Sequence, residues 1–247
     1  AYEGYGEMSD VCIKRKIRNR LLDAGENIFV QSDDKCIDKC KSLKARAEAN
    51  EAFGAELKKG KKADAQRGYE IACKEWMDVR SFGQVFAFKG SDLSLGIRGP
   101  VSVQPAFSVD PIDITSMQIT KSVNSEDKEG KSSDTMGMKH RVDFGVYILK
   151  GSINVQLSEK TGFTEEDAEK IKDAIRCVFV NASSSARPDG SMVMHKLYWW
   201  KHNCKIGQYS SHKVHNSIEI KKKEGVRNPR KIEDYEIICH ELPGLAV

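Results

Sequence analysis

Four cations lie within five residues near the start of the chain, in the segment DVCIKRKIRN at residues 10–19. Lys14, Arg15, Lys16 and Arg18 have the side chains that neutralise phosphate groups without reading bases. A cluster of this kind is also typical of the solvated face of an amphipathic helix. The residues alone leave phosphate binding and a plain solvated face both open.

A second block, TMGMKHRVDFG at residues 135–145, places two methionines beside basic residues where a polar loop meets a predicted strand. Met136 and Met138 are unbranched apolar side chains of the kind that most often fill gaps in a core. Next to Lys139 and His140 they also suit a wedge that displaces one nucleobase while the cations hold neighbouring phosphates. Both interpretations stay open at this point.

Catalytic and metal-binding patterns are weak by comparison. Cys36 and Cys40 are one helical turn apart, and His212 and His215 form HKVH, but no second pair stands at a spacing that defines a zinc site. The sequence contains neither a phosphate-binding P-loop motif nor an HExxH motif. We therefore predict no metal, no cofactor and no enzymatic activity.

The composition predicts a folded, cytoplasmic protein. The 247 residues include 40 Lys and Arg against 36 Asp and Glu, so the distribution of charge matters more than the net +4. No apolar run approaches the ~20 residues that span a bilayer, and the first residues lack a secretory pattern. Seven cysteines, an odd number, fit reduced thiols better than a disulfide framework.

The first cluster lies on a predicted helix, residues 9–24. Apolar side chains recur there at four-residue spacing, and Gly25 stands where glycine often ends a helix. Projected at ~100° per residue, Lys14, Arg15 and Arg18 point away from the apolar stripe, toward solvent or a ligand.

Two further helical regions are predicted. Residues 35–77 are rich in lysine and alanine, with few strand-forming residues, and indicate two helices in an insertion. Residues 164–180 indicate another helix, because Thr164 is a capping residue and the acids that follow it favour the N-terminal end of the helix dipole.

Elsewhere apolar residues recur at every second position, which predicts strands. The polar stretch NSEDKEGKSSD at residues 124–134 predicts a loop projecting from two flanking strands. The order of elements favours an α+β, ferredoxin-like plan shared by RNA-recognition modules. That plan needs a strand before the first helix, and the glycine-rich residues before Asp10 do not predict one. The predicted strands are residues 79–88, 101–107, 112–123, 141–155, 192–202, 214–222 and 235–240.

Several longer motifs occur in one order: DVCIKRKIRN, DVRSFGQVFAF, IRGPVSVQPAFSVDPI, TMGMKH, EKTGF and SSARPDGSM. On these motifs the chain resembles the backbone subunit of the type I-C CRISPR Cascade complex, the Csd-type member of the Cas-seven family. The resemblance covers most of residues 10–220. Members of that family open with a hydrophobic strand and a glycine- and asparagine-rich turn, and this sequence departs from them there.

The resemblance implies one domain in which copies stack head to tail along guide RNA (crRNA) for antiviral defence. The target DNA strand and other Cascade subunits are the further partners it implies, with no membrane involved. The implied parts are an RNA-recognition-motif-like palm (residues 1–34, 78–119 and 140–247), a helical finger insertion (35–77) and a β-hairpin thumb (120–139). The candidate RNA-binding residues are Lys14, Arg15, Lys16, Arg18, Arg80, Phe82, Arg98, Lys121, Met136, Met138, Lys139, His140 and Arg187.

Several of these candidates have simpler structural interpretations. Arg80 and Phe82 alternate on a predicted strand, where Phe82 suits the core as well as it suits stacking on a base. Arg98 fits a surface arginine in a turn. Arg187 fits a contact with a neighbouring copy as well as a contact with phosphate.

Two competing functions remain. The first is a metal-independent endoribonuclease acting on the bound RNA, with His140 or His212 as general base, which requires two titratable groups near one phosphate. The second is a structural homo-oligomer whose assembly ignores nucleic acid and salt.

Overall fold

The computed structural model places the chain in two compact units, each described by itself. The residues described are 3–122, 136–184 and 186–247. The helix unit contains, of these, residues 9–105, 150–184, 186–216 and 241–247. The strand unit contains residues 3–8, 106–122, 136–149 and 217–240.

Helices and strands are both well represented in the described residues, so the expected mixture of helix and strand is confirmed. The ferredoxin-like order of the palm and the palm, finger and thumb boundaries stay predictions. The α-helices are α1 Asp10–Asp23, α2 Leu43–Ala49, α3 Glu51–Leu57, α4 Ala65–Glu75, α5 Met77–Phe82, α6 Val155–Thr161, α7 Glu165–Arg176 and α8 Ser211–His215. Short 3-10 turns are found at Asp33–Lys35, Gly60–Lys62 and Ile232–Asp234.

The strands form several small antiparallel sheets. In the strand unit, β1, β5 and β8 form one sheet in the order β1-β5-β8, while β6 pairs with β7 and β10 with β11. In the helix unit, β2 pairs with β3 and β4 with β9. The bounds are β1 Tyr5–Met8, β2 Gly83–Ala87, β3 Ser94–Arg98, β4 Val101–Val103, β5 Ala106–Pro111, β6 Ile114–Thr120, β7 Met136–Val142, β8 Tyr147–Ile148, β9 Gly151–Ile153, β10 Ile218–Lys222 and β11 Tyr235–Cys239.

Helix α1 confirms the helix predicted for residues 9–24. The Ser9 side chain accepts a hydrogen bond from the Cys12 backbone N–H, and Gly25 has a positive φ of 88° just after the helix. Ile17 and Leu21 are almost completely buried on its apolar face. One face of α1 is therefore fixed in the core, which limits where its cations can point.

Residues 43–75 form three helices, although only two were predicted. Asn50 is the C-cap of α2 and also the N-cap of α3, so it divides one expected helix into two. Its Oδ1 atom accepts a hydrogen bond from the Phe53 N–H at 2.9 Å. At the α2 to α3 junction a Cβ on Gly54 would lie 2.5 Å from the Glu48 carbonyl oxygen, so only glycine fits without a shift.

An aromatic cluster holds this part of the helix unit together. Phe29, Phe53, Trp76 and Phe86 are all buried. The rings of Phe29 and Trp76 are 4.7 Å apart between centroids, and those of Phe53 and Phe86 are 4.8 Å apart. The cluster joins α3 and the C-terminal end of α4 to strand β2, so the helical insertion packs on a strand through apolar contact.

The strand predicted for residues 79–88 is wrong in its first half. Residues up to Phe82 belong to helix α5, and strand β2 begins only at Gly83. The Ser81 hydroxyl donates to the Met77 carbonyl at 2.6 Å, and Gly83, with φ 82°, ends the helix in a conformation that suits glycine. Arg80 and Phe82 therefore do not alternate on a strand.

Two other strand predictions also need correction. A strand does precede the first helix, because β1 pairs antiparallel with β5 despite its glycine-rich sequence. The Gly6 N–H donates to the Ser108 hydroxyl at 2.9 Å, which supports this pairing. Residues 192–202, predicted as a strand, have no ladder partner among the described residues.

Strands β6 and β7 form a two-stranded hairpin in continuous register, from the pair Ile114 and Val142 to the pair Thr120 and Met136. The two flanking strands predicted from the sequence are thus paired, although β7 starts earlier than expected and includes both methionines. The polar loop at residues 124–134 lies outside the described residues.

The strand unit is tied together through Asp110. Its carboxylate accepts a hydrogen bond from the Tyr235 hydroxyl at 2.8 Å and pairs with the Lys222 ammonium at 3.0 Å. These contacts attach β10 and β11 to β5. No helix among the described residues is long and apolar enough to cross a membrane.

The aromatic cluster makes a stability prediction. Phe86→Ala should lower the free energy of unfolding by about 3–5 kcal/mol, because it opens a cavity among packed rings. Val85→Ala, at an exposed position on the same strand, should change it by less than about 1 kcal/mol. Urea denaturation followed by circular dichroism compares the two. Similar losses from both variants would show that the cluster does not hold the helix unit together.

Candidate nucleic-acid interface

The four cations clustered at residues 14–18 of α1 have different environments. Lys14 pairs with Asp10 one turn earlier at 2.9 Å, and the Arg15 side chain is exposed. Lys16 is only 6% exposed. The helix therefore does not present one uniform basic face.

Arg18 was expected to point to solvent or a ligand, and this is wrong. Its Nε donates to Asp78 at 2.9 Å, and its guanidinium lies over the Phe82 ring, 5.1 Å from the centroid. The buried Asp78 carboxylate also accepts the backbone N–H groups of Phe29 and Val30, at 2.7 and 3.0 Å. A carboxylate buried in this way requires a cationic partner, so Arg18 is held inside the fold.

Arg80 likewise forms an ion pair with a buried carboxylate. Its Nε and one terminal nitrogen donate to the two oxygens of Asp167 at 2.9 and 2.8 Å. Thr164 and Asp167 form the capping box that begins α7, which confirms the predicted start of that helix. The ion pair thus fastens α5 to the N-terminal end of α7.

Burial raises the pKa of Asp167, but the hydrogen bonds from Arg80 and from the Thr164 backbone lower it more, so the net pKa is below its ordinary value. A carboxyl whose pKa is lowered on folding stabilises the fold above its unfolded pKa. That contribution is lost as the pH falls through the lowered pKa.

Lys16 and Arg187 are brought together although they are far apart in the sequence. Burial lowers the pKa of Lys16, and the positive charge of Arg187 lowers it further. The Lys16 ammonium lies over the Phe179 ring, 5.7 Å from its centroid. In the part of the chain that the structure describes, neither cation has a carboxylate partner. We call Lys16 and Arg187 the cation pair.

The Arg187 side chain has a further property. Its Nε atom is buried and has no hydrogen-bond partner among the described residues. The backbone at this position is fixed, because Ser184 and Arg187 exchange N–H to carbonyl hydrogen bonds at 2.8 and 2.9 Å. A phosphate oxygen at the cation pair would accept from Nε and would neutralise the mutual repulsion.

Arg98 is the last residue of β3 and its side chain is exposed. Here the backbone at the end of β3 lies close to the backbone of residues 81–83, and two glycines permit this. A Cβ on Gly83 would lie 2.3 Å from the Ile97 carbonyl oxygen, and one on Gly99 would lie 2.2 Å from that of Ser81. The IRGP motif therefore positions the end of β3 tightly against the residues that follow α5.

The β6 and β7 hairpin is exposed on both faces. Met136 and Met138 are 62% and 56% exposed, so neither fills a core. They share one face with His140, whose Nδ1 is 2.8 Å from the Ser116 hydroxyl. Residue alternation along the strand places all three on that face, which we call the methionine face.

The opposite face carries the other part of the predicted basic trio. Lys139 and Arg141 lie there with Met117 and Ile119, which are 45% and 48% exposed. Arg141 pairs with Asp143 at 2.7 Å. The hairpin thus exposes apolar side chains on both faces but places its cations mainly on this one. Lys121 follows β6 at an exposed position.

Sequence reasoning missed Met117, Ile119 and Phe179. The pattern of ITSMQIT could not show that the first two are exposed, because apolar residues at both odd and even positions fit a strand buried on both faces equally well. No sequence pattern places Phe179 against Lys16, since that contact depends on how α1 packs near the end of α7.

The cysteine and histidine pairs have structural contacts of their own. Asp38 pairs with Arg46, which also donates to the Cys36 sulfur at 3.4 Å, and Asp38 accepts the Cys40 N–H at 3.0 Å. His215 is hydrogen-bonded to the Gly151 carbonyl oxygen at 2.9 Å. These contacts give the CIDKC segment and His215 structural roles.

Cations without a carboxylate partner among the described residues and exposed apolar side chains beside lysines are groups that can contact phosphates and bases. The chain belongs to the family described as CRISPR-associated protein Cas7, whose model matches residues 1–240. Nothing among curated proteins matches it. Assignment to type I-C stays a prediction.

One similar chain comes from a solved structure described as "CRISPR RNA-guided surveillance complex, pre-nicking". The similarity covers 71% of this chain at 15% identity, with a TM-score of 0.41. This chain spans 59% of the length of that chain. Family membership rests on the family model alone.

The Arg80 and Asp167 pair makes a prediction that separates a structural role from an RNA contact. In a double-mutant cycle of Arg80→Ala and Asp167→Ala, the free energies of unfolding should show a coupling of about 1–3 kcal/mol near neutral pH. The coupling should fade as the pH falls below the lowered pKa of Asp167. Additive losses at every pH would contradict the structural role.

Proposed function

We propose that this chain is a non-enzymatic backbone subunit of a Cascade surveillance complex that binds guide RNA through phosphate contacts. The observation that carries the proposal is the cation pair, in which the buried Arg187 Nε and the buried Lys16 side chain share no carboxylate among the described residues. Membership of the CRISPR-associated Cas7 family supports it. Arg15, exposed beside the pair, and Arg98 are the further cations available in the helix unit.

Phosphate binding suits a protein that must accept guides of any sequence. Contacts to phosphate fix the position of the strand, while base pairing with the target supplies specificity. Buried donors act in a low dielectric, so each phosphate contact is stronger there than at an exposed lysine. The cation pair would therefore set the position of one phosphate in each copy.

The hairpin supplies the second contact in this proposal. Its methionine face presents Met136 and Met138 to solvent, where an apolar wedge can separate two stacked bases. An isolated two-stranded hairpin is marginally stable, so contact with RNA would also stabilise it. Lys139 and Lys121 would hold flanking phosphates.

Assembly follows from the linear form of the ligand. Copies that bind one RNA in the same manner must contact one another head to tail, because only heterologous contacts extend along a polymer. The RNA so held would pair with the target DNA strand, and other Cascade subunits would close the ends. A type I-C subtype and an RNA-recognition-like palm belong to the same proposal.

Removing the cation pair should weaken RNA binding. Lys16→Gln and Arg187→Gln should each lower affinity for a fluorescein-labelled single-stranded RNA of arbitrary sequence by roughly ten- to a hundredfold, as expected for loss of a charge-assisted hydrogen bond of about 1.5–3 kcal/mol. Each should also reduce the slope of log affinity against log salt by roughly 0.7. Fluorescence anisotropy across a salt series measures both.

Lys14→Gln is the matched control, because Lys14 lies on the same helix and is already paired with Asp10. It should leave affinity and slope nearly unchanged. Arg187→Lys keeps the charge but loses the Nε donor, so it should restore the slope without restoring full affinity. If Lys16→Gln and Arg187→Gln bind RNA like Lys14→Gln, the cation pair is not a phosphate site.

The methionine face makes a separate prediction. Met136→Ser with Met138→Ser should lower RNA affinity by roughly tenfold, the order expected for loss of an apolar contact with one base, and leave the salt slope unchanged. A 2-aminopurine reporter in the RNA should lose the fluorescence increase that unstacking produces. The control is Met117→Ser on the opposite face, and an equal effect from it would contradict a wedge on the methionine face.

Incubation with the same labelled RNA tests the alternative that the protein is an endoribonuclease. Under the proposal, wild-type protein leaves the RNA intact after prolonged incubation, and His140→Ala binds it with nearly unchanged affinity. Cleavage that disappears in His140→Ala or His212→Ala would replace the proposal with the enzymatic function.

A further inference from the structure

The segment CIDKC at residues 36–40 brings two cysteines to one buried arginine. The Arg46 side chain is almost fully buried, and its Nη2 donates to the Cys36 sulfur and to the Cys40 carbonyl oxygen, each at 3.4 Å. Neither cysteine is fully buried, so a small solute can reach both thiols. We call residues 36–40 the dithiol loop.

The dithiol loop folds back on itself around the Asp38 carboxylate. One oxygen, Oδ1, accepts a hydrogen bond from the Cys36 thiol at 3.3 Å and another from the Cys40 N–H at 3.0 Å. Lys39 has a positive φ of 60°, which turns the chain just before Cys40. This turn holds the Cys36 sulfur beside the backbone of Cys40.

The two sulfurs are near enough to bond after their side chains rotate. The Cys36 sulfur lies 3.5 Å from the Cys40 carbonyl oxygen. A carbonyl oxygen is about 2.4 Å from the Cα of its own residue, so the Cys36 sulfur is within about 6 Å of the Cys40 Cα. Rotation of both side chains, with a small shift of the loop, brings the sulfurs to the ~2.05 Å of a disulfide bond.

The two thiols have unequal electrostatic surroundings. The Arg46 guanidinium beside Cys36 stabilises the negative charge that this sulfur carries as it attacks an electrophile. Partial burial and the Asp38 charge raise the pKa of the Cys40 thiol more than the Arg46 charge lowers it. Cys36 is therefore suited to attack first and Cys40 to react second.

We propose that Cys36 and Cys40 form an oxidation site at which hydrogen peroxide converts the two thiols to a disulfide within one chain. The Cys36 sulfur attacks one peroxide oxygen, the O–O bond breaks, and water leaves with the thiol proton, so Cys36 becomes a sulfenic acid. The Cys40 sulfur then attacks the Cys36 sulfur, the S–O bond breaks, and a second water leaves with the Cys40 proton. The two sulfurs together lose two electrons, and the peroxide gains them.

Oxidation at this site is linked to the core of the helix unit through Arg46. The Nη1 atom of Arg46 donates to the Phe29 carbonyl oxygen at 2.8 Å, and Phe29 belongs to the aromatic cluster. A disulfide across the dithiol loop would fix the turn that contacts Arg46. The inference does not depend on RNA binding, because none of these residues is assigned to the RNA.

Disulfide mapping of the full chain tests the site. Reduced protein is treated with hydrogen peroxide, the remaining thiols are blocked, and the chain is digested with trypsin, which cuts after Lys35, Lys39 and Lys41. Mass spectrometry should then find residues 36–39 and 40–41 joined in one product that has two hydrogens fewer than the separate peptides. Treatment with dithiothreitol should separate them.

Single variants assign the two steps. Cys40→Ser should stop at the sulfenic acid, which dimedone labels on Cys36 several-fold faster than it labels the exposed Cys204. Cys36→Ser should leave Cys40 unlabelled at the same peroxide dose. Cys204→Ser is the matched control and should form the disulfide at the wild-type rate. Urea denaturation verifies that all three variants fold.

Two results would overturn the inference. One is recovery of both Cys36 and Cys40 as free thiols after a peroxide treatment that oxidises Cys204. The other is a disulfide that joins either of them to a different cysteine in place of the bond within the dithiol loop.

Discussion

Compensation of buried charge is the constraint on which this structure depends most. Helix α1 must bury Ile17 and Leu21 while it carries five cations, and each cation then needs a partner or water. Arg18 finds the buried Asp78, and Lys14 finds Asp10. Lys16 lies over the Phe179 ring, and the positive charge of Arg187 acts on it. The fold thus concentrates positive charge where no carboxylate of the described residues balances it.

Buried carboxylates sort the remaining cations into structural and available ones. Asp78, Asp167 and Glu56 are each almost fully buried, and each holds a cation that sequence alone cannot tell from a ligand contact. Breaking such a pair leaves an uncompensated charge, so these cations are fixed by stability. The cations left over are the ones a polyanion can bind without competing with the fold. The number of cations in a segment is therefore a poor guide to the interface. Whether each cation is paired with a buried carboxylate is a better guide.

Local features of the fold were predictable where a cap and an apolar stripe agree. Helices α1 and α7 begin at the capping residues Ser9 and Thr164 that the sequence indicates. Helix α5 was missed because its short segment before Gly83 resembles a strand in composition, and its contacts with distant residues decide its conformation. The cation pair could not be predicted as a pair, since it depends on how the Arg187 loop packs near α1. The sequence singled out Met136 and Met138, but it did not show that strand β7 includes both or that both are exposed.

The central claim is that many copies bind one RNA by its backbone, whatever its sequence. Native mass spectrometry of the full chain with guide RNAs of graded length and unrelated sequence measures this directly, as copies of the chain per RNA. The account predicts that copy number rises in proportion to RNA length and does not change with sequence at fixed length. A fixed copy number at every length, or binding restricted to one sequence, would contradict it.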